Sequence, residues 1–179
     1  RNNVINGNSV FEHNGQGAGA YISNSSSRLA NIVVYENNMY YGGPNTVGGG
    51  GVYITNSTLS ISDSEIRGNR IETGSGNGLR IIASEVSIRN SRISNNSSDF
   101  AGAGAGIYSA NSSLILTNCV ITQNSGANYA GGGGLHASNM TYLRIDSTVF
   151  SENHAWVGDQ SIAGSGARIV NSIFEISST

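Results

Sequence analysis

Apolar and polar residues alternate along this chain in short bursts, and the bursts recur. Between residues 52 and 69, Val52 and Ile54 flank Tyr53, Leu59 and Ile61 flank Ser60, and Ile66 stands between Glu65 and Arg67. Alternation over three to five residues is the period of a strand with one face inward. Asn56-Ser57-Thr58 and Asp63-Ser64 lie between the bursts and are turn formers. The stretch therefore predicts three short strands joined by tight turns and closed by Asn69, with a Gly-bearing loop leading to the next copy. The Leu59/Ile61 pair returns as Val86/Ile88, Leu114/Leu116 and Leu143/Ile145. The Val52 position returns as Ala20, Leu79, Ile107, Leu135 and Ile162. The Asp63-Ser64 turn returns as Asn8-Ser9, Asn90-Ser91, Asn118-Cys119, Asp146-Ser147 and Asn171-Ser172.

Each copy closes on an apolar residue, two free positions and Asn. The phrase reads Phe11…Asn14, Tyr35…Asn38, Ile66…Asn69, Ile93…Asn96, Ile121…Asn124 and Phe150…Asn153, with the asparagines 24, 31, 27, 28 and 29 positions apart. A period in the twenties with strands and turns in every copy is the signature of a solenoid. The predicted fold is all-β: a single-stranded parallel β-helix of about six coils, roughly 30 Å long at the usual strand spacing. Parallel crossovers favour the right hand. Like residues then lie over like residues, and the closing asparagines form a ladder that satisfies turn backbone groups otherwise buried and unpaired. Gly before the Val52 position is expected to allow positive φ and close backbone approach. Residues 1–179 read as one β-helix segment, and the running pattern is expected of a fragment of a longer solenoid.

Composition narrows the function. Gly and Asn are abundant enough to suggest disorder, but the regular Val, Ile and Leu positions argue against it. Charged residues make up only 11% of the chain and the net charge is −2, so there is no basic stripe for a nucleic acid or an anionic membrane surface. Cys119 is the one cysteine, which excludes an internal disulfide framework. No apolar run is long enough for a membrane-spanning helix in this segment.

The pairing of Phe-x-x-Asn with Gly-Gly-Ala-Ile-like repeats resembles the polymorphic outer-membrane proteins of chlamydiae and similar extracellular right-handed β-helix proteins. Here the pairs are Phe11…Asn14 with Gly19-Ala20, Tyr35…Asn38 with Gly51-Val52, Ile121…Asn124 with Gly134-Leu135, and Phe150…Asn153 with a degraded partner. Ile or Tyr often stands where Phe is typical. The resemblance implies an extracellular or cell-surface passenger used for adhesion or as a stiff stalk, with no catalytic residues.

Three sets of positions are candidates for that role. The outward neighbours of the Val52 column read Tyr21, Tyr53, Arg80, Tyr108, His136 and Ala163, a stripe either for a partner or for strand-on-strand stacking. Met39, Tyr40, Tyr41, Phe100, Tyr129 and Trp156 lie at the loop edge, where they would meet sugar rings or a protein, or fold back over the corner. Asn-x-Ser/Thr occurs at Asn24, Asn56, Asn95, Asn96, Asn111 and Asn139. Asn24, Asn56, Asn111 and Asn139 share one place in the repeat. They are either exposed N-glycosylation acceptors or an inward turn ladder.

The expected function is a non-catalytic adhesin or structural rod or filament component. Its partner would be a glycan, a surface protein or further copies of itself, and no metal or cofactor is expected. The alternative is a carbohydrate-active enzyme, because pectin-degrading lyases and hydrolases share this architecture. Such enzymes need clustered carboxylates. Asp63 and Asp146 read as one column but three coils apart, and the best acidic set is Glu152, His154 and Asp159 around Trp156. His13, His136 and His154 fall in different columns, so they make no metal set.

Overall fold

The computed structural model describes residues 3–11, 15–40, 48–126, 131–155 and 164–178, and these contain strands and turns but no helix. Four parallel sheets of six strands each run the length of the stack. The first holds Asn3–Asn6, Ile32–Tyr35, Glu65–Arg67, Arg92–Ser94, Val120–Thr122 and Val149–Ser151. The second holds Ser9–Val10, Asn38–Met39, Arg70–Thr73, Ser97–Ala101, Ser125–Gly126 and His154–Ala155. The third holds Ala20–Ser23, Val52–Thr55, Leu79–Ile82, Ile107–Ala110, Leu135–Ser138 and Ala167–Val170. The fourth holds Ser26–Ala30, Thr58–Ser62, Glu85–Arg89, Ser113–Thr117, Tyr142–Asp146 and Phe174–Ser177. The chain visits the sheets in turn, so every strand pairs with its counterparts one coil before and one coil after.

Each coil thus has four strands where the apolar pattern predicts three. The additional strand follows the closing Asn. Several of its copies, such as Asn38–Met39 and Ser125–Gly126, have two residues, too few to show any alternation. The inward positions named by the pattern do form the core: Val52, Ile54, Leu59, Ile61 and Ile66 join their counterparts in one buried cluster. Fully burying one such side chain stabilises by about 1.5–3 kcal/mol. A smaller cluster of Ala18, Met39 and Ile71 lines the inner side of the second sheet, which removes Met39 from the expected loop edge.

Three corners of each coil are turned by one residue in the left-handed region followed by an inward residue, polar in all but Ile32 and Met140. Between the third and fourth sheets the turning residues are Asn24, Asn56, Ala83, Asn111, Asn139 and Asn171, with φ of 47–52°. Between the fourth and first they are Asn31, Asp63, Asn90, Asn118 and Ser147, with φ of 45–53°. Between the first and second they are Gly7, Glu36, Gly68, Asn95, Gln123 and Glu152, with φ of 52–67°. Asn and Asp tolerate this conformation better than most residues, which is one source of the asparagine-rich composition.

The inward residue that follows each turn carries a ladder. At the third-to-fourth corner the N–H groups of Ser25, Ser57 and Ser84 donate to the Oγ atoms of Ser57, Ser84 and Ser112, each at 3.1 Å. At the first-to-second corner the Nδ2 atoms of Asn8, Asn37, Asn69, Asn96 and Asn124 donate to Oδ1 of the next asparagine at 2.8–3.0 Å, ending on Asn153. The predicted ladder exists, with its register corrected in the first two coils. Asn37 rather than Asn38 is the rung, and Asn8 precedes it; Asn14 lies outside the described residues. The phrase still holds when read from the inward residue, as Ile5…Asn8 and Val34…Asn37. The all-apolar run Ile32-Val33-Val34-Tyr35 hides which residue faces inward.

Three other alignments shift. Asn31 occupies the turn assigned to Asn8, Ser147 that assigned to Asp146, and Asn171 belongs to the Asn139 turn. The Val52 column ends on Ala167, which pairs with Leu135; Ile162 lies outside the described residues.

Cys119 takes a serine's place in the fourth-to-first ladder. It is buried, its Sγ donates to the Thr117 carbonyl at 3.3 Å, and the Ser91 backbone approaches the same sulfur. Burial pushes the thiol pKa up. The neutral thiol is therefore favoured in the fold, and its contribution is complete below the ordinary thiol pKa and lost as pH rises through the raised one. Cys119→Ser is expected to leave Tm within a few degrees of wild type near neutral pH and to flatten its alkaline decline. Cys119→Val is expected to cost about 1–3 kcal/mol by leaving a buried N–H unpaired. Thermal unfolding between neutral pH and pH 10 measures both; a serine variant as unstable as the valine one would sink this account.

Candidate functional site

The outer face of the second sheet gathers aromatic, amide and charged side chains around one cleft. Phe11 and Tyr40 extend adjacent strands of that sheet, and their rings stack with centroids 5.0 Å apart and planes 12° from parallel. In the following coils the outward positions are charged. Arg70 forms a two-pronged pair with Asp99, its Nε donating to Asp99 Oδ1 at 2.9 Å and its Nη2 to Oδ2. Asp99 also raises the Arg70 pKa further above its ordinary value, so the guanidinium stays charged. Phe11, Asn38, Tyr40, Arg70, Glu72 and Asp99 together line a cleft of about 320 Å³. Phe100 stands beside it, 61% exposed, where a register shift bulges the pairing of the Arg70 and Ser97 strands.

Of the expected loop-edge aromatics, Tyr40 lines this cleft and Phe100 stands beside it. Tyr41, Tyr129 and Trp156 lie outside the described residues. The sequence reading missed Phe11, treated as a closing apolar residue, and missed the Arg70–Asp99 pair. The signal for the pair is its separation of 29 residues, one coil period, which brings residues of two coils side by side.

The stripe on the third sheet forms in the expected column and stacks strand on strand. Tyr21 meets Tyr53 edge-on at 5.3 Å, Arg80 lies between Tyr53 and Tyr108 at 5.7 and 4.7 Å, and Tyr108 stacks on His136 at 5.3 Å. The register adds Arg168 as the next member, opposite His136, in place of Ala163. Left-handed glycines turn back over this column. A Cβ on Gly49 would lie 2.7 Å from the Cβ of Tyr53, and one on Gly76 would lie 2.9 Å from that of Arg80. Tyr53 and His136 are consequently buried, at 6% exposure each. Tyr53 therefore offers no contact surface, Tyr108 is half-buried, and Tyr21 is open. The column ties coils together through ring stacking and cation–π contacts, each about 0.5–2 kcal/mol.

The acidic residues are scattered. Asp146 pairs in register with Thr117 and so sits one position away from the Asp63 column. Asp63 accepts from Asn90 Nδ2 at 3.2 Å, the contact that most lowers its pKa. Glu152 turns a corner, exposed, and accepts from Gln123 Nε2 at 2.8 Å. His154 is exposed on the next strand, while Asp159 lies outside the described residues. Among the described residues no three His, Cys, Asp or Glu side chains come together in a set suited to a metal ion.

The sequon asparagines are resolved into two groups. Asn24, Asn56, Asn111 and Asn139 are all exposed at the third-to-fourth corner, because the inward ladder there belongs to the residue after them. Asn95 is exposed at another corner, and Asn96 is fully buried in the asparagine ladder.

No curated protein and no solved structure shows significant similarity to the chain. The family described as "Right handed beta helix region" matches residues 1–150. A four-sheet parallel solenoid with polar ladders at its corners is what that match leads one to expect, and the chain belongs to the right-handed β-helix family.

Proposed function

We propose that this protein is a non-catalytic, extracellular recognition module of the adhesin kind, with the second-sheet cleft as its ligand site and a glycan as its ligand. The observation that carries this reading is the joining of the Phe11–Tyr40 ring pair to the Arg70–Asp99 pair, Asn38 and Glu72 in one cleft. Aromatic rings give apolar contact to the C–H faces of a sugar, while amide, guanidinium and carboxylate groups satisfy its hydroxyls. The paired strands beneath hold these groups in fixed register, so little ordering remains to be done on binding. The likeness of the Phe-x-x-Asn repeats to surface-displayed passengers supports the extracellular placement.

A panel of immobilised glycans probed with wild-type protein and Tyr40→Ala tests the site. Binding should weaken at least tenfold in the variant with the thermal transition unchanged, because Tyr40 is half-buried and outside the core clusters. Binding that Tyr40→Ala and Arg70→Ala both leave intact would remove the cleft from consideration. Polysaccharide cleavage by wild type, lost in Glu72→Gln, would replace the adhesin with a carbohydrate-active enzyme.

A further inference from the structure

We infer that the third-to-fourth corner is an N-glycosylation edge, with Asn24, Asn56, Asn111 and Asn139 as acceptors. All four lie in one column, one per coil, interrupted where Ala83 stands in the third coil. Each is exposed, and each is followed two positions later by a hydroxyl residue on the outside of the fourth sheet: Ser26, Thr58, Ser113 and Thr141. The left-handed turn produces this arrangement. It throws the Asn side chain outward and sends the next residue, Ser25, Ser57, Ser112 or Met140, inward. Both elements of the acceptor motif therefore face solvent and neither takes part in the core.

The same motif at Asn96-Ser97-Ser98 is its internal contrast. Asn96 is fully buried, and its amide is committed to Asn69, Asn124 and the Ile66 carbonyl. A sugar there and a folded ladder exclude one another. Geometry thus separates identical local sequences into usable and unusable acceptors.

The donor is an oligosaccharide carried on a lipid pyrophosphate. The asparagine Nδ2 forms a bond to the anomeric carbon and loses one proton. The bond from that carbon to the pyrophosphate oxygen breaks, and the lipid pyrophosphate leaves with the electron pair. Sugars so placed would cover one corner of the solenoid, separated by the whole third sheet from the second-sheet cleft. The inference shares the extracellular placement proposed above but uses none of the cleft residues.

Peptide-resolved mass spectrometry of the protein recovered from its own cells is the test. Expected are glycans on the Asn24, Asn56, Asn111 and Asn139 peptides and an unmodified Asn96. Thr58→Ala and Thr141→Ala, both at exposed positions, should each remove the glycan from Asn56 or Asn139 alone. Bare asparagine at all four corner positions overturns the inference, and so does sugar on Asn96 in folded, secreted protein. Bare corners together with intact glycan binding at the cleft would overturn it while leaving the adhesin reading in place.

Discussion

Asn96→Ala is expected to lower the stability of the fold by about 3–5 kcal/mol and to split its unfolding into two steps. Asn96 Oδ1 accepts from the N–H and the Nδ2 of Asn69, both at 3.0 Å. Its own Nδ2 donates to the Ile66 carbonyl at 3.1 Å and to Asn124 Oδ1 at 2.9 Å. Truncation strands buried groups on both neighbouring coils, at roughly 1–3 kcal/mol for each one left unsatisfied. Solenoid stability is close to a sum of repeat terms and nearest-neighbour terms. A weak junction in the middle of the stack therefore lets its two halves unfold separately. Asn38→Ala is the control: its Nδ2 donates to the Glu36 carbonyl in an exposed bond, and less than about 1 kcal/mol should be lost. Urea titration followed by circular dichroism reads both, and equal losses for the two variants would refute the ladder's importance.

Gly78→Ala is expected to cost about 3 kcal/mol, although it adds a single methyl group. Gly78 belongs to the column directly before the inward Val52 position, with Gly19, Gly51, Gly106 and Gly134 as counterparts. A Cβ there would meet the Gly106 carbonyl oxygen at 2.6 Å and the Asn96 Nδ2 at 2.8 Å. Each of these five is crowded the same way by its own ladder asparagine, whereas Gly166, which ends the column, has only the Phe150 Cβ at 3.7 Å. The glycine leaves room for the next coil's carbonyl as well as for the rung, and overpacking such a site costs about 1–3 kcal/mol or more. Gly68→Ala makes the comparison informative. Gly68 has φ of 61° but no atom nearer than 3.9 Å to an added Cβ, so its cost is backbone strain alone, about 1–2 kcal/mol. The double variant Gly78→Ala, Asn96→Ala should lose less than the sum of the two single ones, because the amide that meets the new methyl is gone. Strict additivity would show that the two positions do not share space.

The sequence was most legible where chemistry repeats without variation. Ile66…Asn69, Ile93…Asn96, Ile121…Asn124 and Phe150…Asn153 name the rungs correctly, because a single apolar residue faces inward before each. The first two coils misled, since Tyr35 is bulkier than Val34 yet points outward, and Asn37 and Asn38 are adjacent. The glycines before the Val52 column were legible as a close approach but not as the place of the asparagine side chain. Gly51 and Gly78 take no positive φ; Gly49 and Gly76 do. Accessibility was the hardest to read. Tyr21 and Tyr53 occupy the same column under left-handed glycines, yet one is open at 50% and the other buried at 6%, because Tyr21 stands on the end strand of its sheet while Tyr53 has a coil on each side. The cleft was visible only through Tyr40, with Phe100 as its neighbour. Its ion pair joins residues of different coils, which a reading along the chain does not set side by side.

The inward ladders have a direction. In each, the N–H of one coil gives to the side-chain oxygen of the next: Ser25 to Ser57, Asn37 to Asn69, Asn96 to Asn124. The amide Nδ2 groups give one bond the same way, to the next asparagine's Oδ1, and one bond back to a carbonyl of the preceding coil. Within the ladders, the bonds to side-chain oxygens therefore all run from the earlier coil to the later one, and the aligned amide dipoles reinforce one another. The rod has a polarity, like an arrow. One such solenoid can prolong another only point to tail, and two meeting point to point would set donor against donor along a dry seam.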